Sequence, residues 1–161
     1  MKSKIDKEVT VVVILYKTPN KRIYNLKQYK DFKLIILDQG SLHNSKKKIR
    51  NILGFKFTYY HSKKNLGLSK GMNFLIKKTK TKYCMITEPD ILISKESILN
   101  LKKNIQSNKN FLITSPCFNK NKKLKKFKIL EKIDLSCVLF EKKKCLILIF
   151  MMKTIFFLDR Y

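Results

Sequence analysis

The sequence predicts an α/β fold of three layers, α/β/α, with a mostly parallel central sheet. Uninterrupted apolar runs rich in β-branched residues occupy residues 9–16, 33–37 and 83–87, and such runs are typical of parallel strands that are covered on both faces. Segments with apolar residues at helical spacing separate these strands. Because strands and helices alternate, each helix must cross over the sheet, which places helices on both of its faces.

The elements of the first half follow in order along the chain. Thr18-Pro19-Asn20 ends the first strand, and the next apolar residues mark one face of a short helix, namely Ile23, Leu26 and either Tyr29 or Phe32. After the second strand, residues 44–53 form a helix with Ile49, Ile52 and Leu53 on one side. Residues 55–60 alternate as a half-exposed strand. An amphipathic helix then buries Leu68, Met72, Leu75 and Ile76.

The second half begins with the strand at residues 83–87 and the segment Glu88-Pro89-Asp90. Ser94 is a good N-cap for a helix through about Ser107, whose buried face is Ile98, Leu101 and Ile105. Residues 111–115 are expected to be another strand, and two apolar segments follow at 133–140 and 145–150, joined by a turn at 141–144. The composition changes at Pro116, which divides the chain into residues 1–115 and residues 116–161.

The charge of the chain is extreme, at a formal +26. Arginine stands only at positions 22, 50 and 160, so 34 of the 37 basic residues are lysine. Base readout and bidentate phosphate binding favour arginine, and the lysines here are dispersed. A basic nucleic-acid-binding α/β module without catalysis therefore stays open as the alternative function, and attraction of anionic nucleotides or lipid head groups is expected in either case.

The four cysteines form no Cys-x-x-Cys pair, and His43 and His61 are expected on loops without a ligand role. This pattern and the short charged start predict a reduced, cytoplasmic protein. The apolar run at 145–152 is shorter than the roughly 20 residues of a membrane-spanning helix. If the protein meets a membrane, we expect peripheral contact with the anionic inner face and no spanning helix.

Carboxylates mark the expected site. Asp38 ends the second strand and Asp90 lies just past the strand at 83–87. Ligands of open α/β sheets bind outside the carboxyl ends of the strands. The sequence therefore predicts a nucleotide-handling site at this edge of the sheet and an enzyme built around it.

Four landmarks carry a resemblance to a known family. They are the strand in TVVVILYKTP, the turn Asp38-Gln39-Gly40-Ser41, the segment Asn65-Leu66-Gly67 with Asn73 in the helix behind it, and Glu88-Pro89-Asp90. In this order they resemble family 2 glycosyltransferases of the GT-A fold. The resemblance covers about residues 8–115 and continues faintly through 136–144 and 157–159.

The resemblance implies a binding site for a nucleotide-diphosphate sugar. Its donor-binding residues would be Leu15, Tyr16, Lys17, Asp38, Gly67, Asn73 and Glu88. Asp90 would hold a divalent cation, Mg²⁺ or Mn²⁺, which neutralises charge on the leaving diphosphate. Lys70 is a further candidate for contact with the diphosphate.

The resemblance also implies a saccharide or lipid-linked acceptor and a transfer of hexosyl or rhamnosyl type, as in polysaccharide biosynthesis. Family members continue beyond the equivalent of Tyr161, and their general base lies there, so a product truncated at its carboxyl end is expected. Asp159 is the substitute base that the remaining residues offer. A nucleotidyltransferase is less consistent with the sequence, because Lys17-Thr18-Pro19-Asn20 holds no glycine for a phosphate loop.

Overall fold

The structure is a computed structural model, and it describes residues 5–40, 45–108, 112–116 and 136–144. Its strands are β1 (Asp6–Leu15), β2 (Phe32–Gln39), β3 (Thr58–Ser62), β4 (Tyr83–Thr87), β5 (Ile113–Thr114) and β6 (Cys137–Glu141). Its helices are α1 (Asn20–Asn25), α2 (Ser45–Leu53), α3 (Gly67–Lys78) and α4 (Lys95–Ser107), and a 3-10 turn at Leu26–Tyr29 extends α1.

The six strands form one sheet in the order β3-β2-β1-β4-β6-β5. The pairs β1–β2, β1–β4 and β2–β3 are parallel, which confirms the mostly parallel sheet. β6 runs antiparallel to both β4 and β5. The sequence did not predict this antiparallel strand, because an apolar run does not encode the direction of its strand.

Helices cover both faces of the sheet, as predicted. On one face α1, α2 and α4 pack against the strands through residues such as Ile23, Ile49 and Ile98. On the other face α3 packs through Met72, Leu75 and Ile76. Since side chains alternate along a strand, the neighbouring residues Val11 and Val12 of β1 belong to opposite faces of this core.

Helix α4 agrees with its predicted start and its predicted buried face. The hydroxyl of Ser94 accepts a hydrogen bond from the backbone N–H of Ser97 at 3.1 Å, which is the geometry of an N-cap. Ile98, Leu101 and Ile105 are buried. No helix in the described part of the chain is long and apolar enough to cross a membrane.

Several predicted positions differ from the structure. Phe32 belongs to β2, so Tyr29 completes the apolar face that follows α1. β3 begins only at Thr58, and His61 lies within it instead of on a loop. Leu68 is 49% exposed, because it stands in the first turn of α3, ahead of the part that packs on the sheet.

The predictions for the second half fall partly outside the described residues. The strand expected at 111–115 is limited to Ile113–Thr114 in the described structure, and residues 133–135 and the apolar run from 145 onward lie outside it, as does His43. Cys84 and Cys137 are buried, and neither is part of a disulfide among the described residues.

Candidate functional site

The carboxyl ends of the parallel strands bring the predicted residues to one edge of the sheet. Leu15 at the end of β1 pairs with Asp38 of β2, and Asp38 pairs with His61 of β3. β4 lies on the other side of β1, so Glu88 and Asp90 reach the same edge. Asp38 and Asp90 therefore flank β1 at the edge where open α/β sheets bind ligands.

Asp38 is buried, with 1% of its surface exposed. Its Oδ2 accepts a hydrogen bond of 2.8 Å from the phenol of Tyr59 on the neighbouring strand. A bond to an ionised acceptor is stronger than a neutral one, so this contact fixes the orientation of the carboxylate. Tyr59 is a positioning residue for the site that the sequence analysis missed.

Two phenols in this region are held neutral. Burial, together with the hydrogen bond to the Asp38 carboxylate, raises the pKa of Tyr59. Burial also raises the pKa of Tyr29, whose hydroxyl lies 3.3 Å from that of Thr87. Because deprotonation would place a charge where water is scarce, both groups resist alkali in the folded state.

We expect these two phenols to make the fold sensitive to alkali. A pKa that is raised in the folded state stabilises the fold fully below the unfolded value of about 10, and this stability is lost as the pH rises toward the folded value. Between about pH 9 and pH 11, the free energy of unfolding measured with denaturant should therefore fall more for the parent than for a Tyr29→Phe, Tyr59→Phe variant. Tyr24→Phe, at a side chain 58% exposed, is the control. If the free energy of unfolding fell equally in the parent and in the double variant, the two phenols would not be the cause of the sensitivity to alkali.

Gln39, the residue after Asp38, holds the glycine turn in place. Its side chain is buried, and its Oε1 accepts a hydrogen bond from the backbone N–H of Leu66 at 2.6 Å. Gly67 follows with φ of +73°, a left-handed conformation that favours glycine, and its N–H bonds Asn65 Oδ1 at 2.9 Å. This turn therefore stands at the edge of the site and is anchored to β2.

Gly71 and Asn73 place α3 against the same edge. A Cβ on Gly71 would come within 2.7 Å of the Ile14 side chain and 3.2 Å of Gln39 Nε2, so glycine preserves the space that Gln39 uses. The Oδ1 atom of Asn73 is buried and has no hydrogen-bond partner among the described residues. A buried acceptor without a partner is uncommon.

Side-chain hydrogen bonds join the loop after β4 to α1 and its 3-10 extension. Gln28 makes two bonds with it: its Nε2 donates to Ile91 O at 2.8 Å and its Oε1 accepts from Ile93 N at 2.7 Å. Asn25 Nδ2 donates to Pro89 O at 3.2 Å. These side-chain amides set the path of the backbone that carries Glu88 and Asp90.

Asp90 pairs with a cation of the protein itself. Arg22 Nη1 lies 3.6 Å from Asp90 Oδ2, and both side chains are about half exposed, 55% and 43%. The described residues hold no group of three or more His, Cys, Asp or Glu side chains that could bind a metal. Mg²⁺ is often held by one or two carboxylates with substrate phosphates and water, so the donor set of Asp90 and Glu88 fits a cation that a diphosphate helps to bind.

The end of β1 makes a tight turn beside the site. The N–H of Tyr16 donates to Thr18 Oγ1 at 3.1 Å, and Lys17 has φ of 49°, which is uncommon for a residue with a side chain. Tyr16 is 46% exposed, and a Cβ on Gly40 would stand 3.4 Å from its ring. Leu15, Tyr16 and Lys17 thus lie next to the turn after Asp38.

Asp159, the expected substitute base, lies outside the described residues. Tyr59, Gln28, Gln39 and Arg22 were missed from sequence. Each acts through a partner far along the chain or on another strand, so neither spacing nor periodicity reveals it. The one signal present was the position of Gln39 next to Asp38 within the predicted turn.

The family model described as glycosyl transferase family 2 matches residues 20–158. No curated protein sequence matches the chain. The mannosyltransferase PcManGT from Pyrobaculum calidifontis, solved with GDP-Man and Mn²⁺, superposes with a TM-score of 0.65 at 12% identity, covering 92% of this chain and 50% of that one. The glycosyltransferase GlyE from Streptococcus pneumoniae TIGR4 gives 0.59 at 13% identity, covering 96% and 39%. The chain therefore spans half or less of the length of these two structures.

Proposed function

We propose, from the premise that this chain belongs to glycosyl transferase family 2, that it binds a nucleotide-diphosphate sugar and transfers the sugar to a saccharide or lipid-linked acceptor. One observation carries the proposal: Asp38 and Asp90 flank β1 at the carboxyl edge of a mostly parallel sheet. This is the edge at which such sheets bind nucleotides. The fold that the chain shares with two glycosyltransferases supports the class of reaction.

The nucleotide would lie along the ends of β1 and β2. Asp38 would accept a hydrogen bond from the base, and residues 15–17 would form the opposite wall. The Oδ1 atom of Asn73, which has no partner among the described residues, would accept a donor from the ligand. Gly67 would let the backbone pass close to the donor, and Lys70 stands one turn further along α3.

Asp90, aided by Glu88, would hold a divalent cation together with the diphosphate. When bound, such a cation neutralises the charge that develops on the leaving diphosphate. PcManGT was solved with Mn²⁺, which supports Mn²⁺ or Mg²⁺ as the ion. Arg22 must release Asp90 for this role, and an exposed ion pair is weak enough to exchange, since such pairs contribute about 0–1 kcal/mol.

The acceptor side requires a group that takes up a proton. In an inverting transfer a carboxylate takes the proton of the acceptor hydroxyl, and Asp159 is our candidate for that base. The acceptor would approach the edge beyond β4, on the side of Asp90. Transfer of a hexosyl or rhamnosyl group in the making of a polysaccharide is the proposed setting.

The test is calorimetric titration with UDP, dTDP and GDP, each with and without Mn²⁺ at moderate salt. We expect binding to one nucleotide that depends on Mn²⁺ and is lost in Asp90→Ala. Arg22→Gln should bind Mn²⁺ with the nucleotide severalfold more tightly, because the competing cation is gone. Metal-independent binding that Asp90→Ala leaves unchanged would refute the metal site.

Failure to bind any of the three nucleotides, or binding that disappears as salt is raised, would contradict the proposed donor site. In that case titration with duplex DNA tests the alternative function, a basic nucleic-acid-binding module. A module that binds nucleic acid through phosphates loses affinity steeply with salt, with a slope of about 0.9 per phosphate contact.

A further inference from the structure

Exposed apolar side chains are concentrated at one edge of the described structure. Seven large hydrophobic residues are well exposed among the described residues, and five of them follow the carboxyl ends of parallel strands: Tyr16, Tyr24, Leu66, Leu68 and Leu92. The other two are Ile5 and Leu112, which precede β1 and β5 at the opposite edge. Leu92 is the most exposed of the seven, at 69%. Single exposed apolar side chains are normal, so it is the gathering of five of the seven at one edge, and not their exposure, that points to an interaction surface.

Specific contacts hold these residues in place at the carboxyl edge. The bond of Gln39 to Leu66 ties the start of α3 to β2. The bonds of Asn25 to Pro89 and of Gln28 to Ile91 join the end of α1 to the loop that carries Leu92. Between β3 and β4 the sheet order inserts two strands, so the surface spans about 14 Å at 4.8 Å per strand.

The same edge is basic. Cationic side chains stand between the apolar ones, at Lys17, Lys21, Arg22, Lys63, Lys64 and Lys70, and all of them are exposed. The opposite edge holds acidic residues that the protein itself neutralises: Lys102 Nζ lies 2.6 Å from Asp6, and Lys95 Nζ lies 2.9 Å from Asp31. The opposite edge also carries exposed lysines, among them Lys30, Lys56, Lys80 and Lys82, so both edges are positive and the exposed apolar side chains are what distinguish the carboxyl edge.

Aromatic and basic side chains also meet directly on this surface. Lys27 Nζ lies 4.2 Å from the ring centre of Tyr24, so the amphipathic ring and an ammonium group are presented together. Tyrosine, lysine and exposed leucine on one surface are the combination that binds at the boundary of head groups and acyl chains. A nucleic acid would use the lysines but would leave Leu68 and Leu92 in water.

We propose that this docking rim, defined as Tyr24, Leu66, Leu68 and Leu92 with Lys21, Lys63, Lys64 and Lys70, seats the protein on an anionic lipid bilayer. The leucines and Tyr24 enter the boundary region while the lysines contact anionic head groups. The docking itself does not depend on the proposed function. Its consequence does: docking would bring the donor site to a lipid-linked acceptor at the membrane surface.

The experiment uses the absence of tryptophan from the chain. Leu92→Trp and Leu68→Trp place single fluorophores in the rim, and Ile5→Trp and Leu112→Trp place matched ones at the opposite edge. Each variant is mixed with vesicles of equal parts phosphatidylglycerol and phosphatidylcholine. We expect the rim variants alone to shift their emission to shorter wavelength and to be quenched by brominated lipid.

Lysine variants test the charged part of the rim. Lys63→Gln, Lys64→Gln and Lys70→Gln together should weaken vesicle binding on the order of a hundredfold, at about fivefold for each lysine. Lys30→Gln, Lys56→Gln and Lys80→Gln remove the same charge from the opposite edge, where these exposed lysines precede β2, β3 and β4, and should weaken it far less. Circular dichroism confirms that each variant is folded.

Three outcomes would overturn the inference. Equal losses in the two lysine triples would mean attraction by overall charge. Equal emission shifts at both edges would mean unoriented adsorption, and a shift that grows with protein concentration without lipid would mean contact between copies of the chain. None of these readouts needs a nucleotide, so a protein that docks on vesicles but binds no nucleotide refutes the proposed function and leaves the docking rim intact.

Discussion

Replacing Asp38 with alanine is expected to lower the affinity for the donor nucleotide by about tenfold to a hundredfold, the range for a hydrogen bond to a charged group. The buried carboxylate is held at 2.8 Å by Tyr59, so its removal takes away a preorganised acceptor. It also leaves the Tyr59 hydroxyl without this partner, which should lower the free energy of unfolding by about 1–3 kcal/mol. Calorimetry with the nucleotide and denaturant unfolding measure the two effects separately.

The companion variants decide how Asp38 acts. Because Asp38 is 1% exposed and bonds Tyr59, two modes of action have to be separated: a direct bond to the base, and the placement of Tyr59. Tyr59→Phe keeps the carboxylate and removes the phenol. Equal losses of affinity in Asp38→Asn and Tyr59→Phe would make Asp38 a positioning residue, and a loss confined to Asp38→Asn supports contact with the base. Unchanged affinity in a folded Asp38→Ala protein would refute its place in the site.

Gln28→Ala is expected to have the largest effect on stability among the residues that shape the site. The variant leaves the N–H of Ile93 and the carbonyl of Ile91 without the bonds of 2.7 and 2.8 Å that Gln28 supplies. Two partly buried backbone groups without partners should cost about 2–4 kcal/mol together. Because the same loop carries Asp90, we also expect weaker binding of the nucleotide with Mn²⁺, by about tenfold for each 1.4 kcal/mol of binding free energy lost.

Gln106→Ala is the matched control for this prediction. Gln106 is exposed on α4, so the same side chain is removed without loss of a buried contact, and the effect should stay within about 0.5 kcal/mol. Thermal unfolding and calorimetry are measured on both variants. A Gln28→Ala protein as stable as Gln106→Ala would show that water replaces the two bonds and that Gln28 does not hold the loop.

The sequence predicted the parts of the fold that local patterns encode. The strand at Tyr83–Thr87 has its predicted bounds, because a short apolar run lies between lysines on one side and Glu88-Pro89 on the other. The N-cap at Ser94 follows from the residue type, and the buried face of α4 follows from the helical spacing of its apolar residues. The family assignment, made from four turn and strand-end landmarks, is confirmed by the match over residues 20–158.

Elements defined by distant contacts were not predicted. β6 lies between β4 and β5 and runs antiparallel to both. Its short apolar sequence contains no signal for the direction of the strand. Leu68 has helical spacing with Met72 but stays exposed, because burial depends on where the sheet ends beneath α3. The predicted roles of the donor-binding residues and of Asp90 stay predictions, to be tested by the variants above.

The sequence by itself determined the three-layer α/β class, the position of Asp38 and Asp90 at strand ends, and the large positive charge. Each of these follows from residue type and short-range period alone. Only the tertiary structure decided which side chains hold the site in shape and at which edge most of the exposed apolar side chains lie. Gln28 and Tyr59 find partners 65 and 21 residues away, and such pairings arise only when strand order brings the segments together.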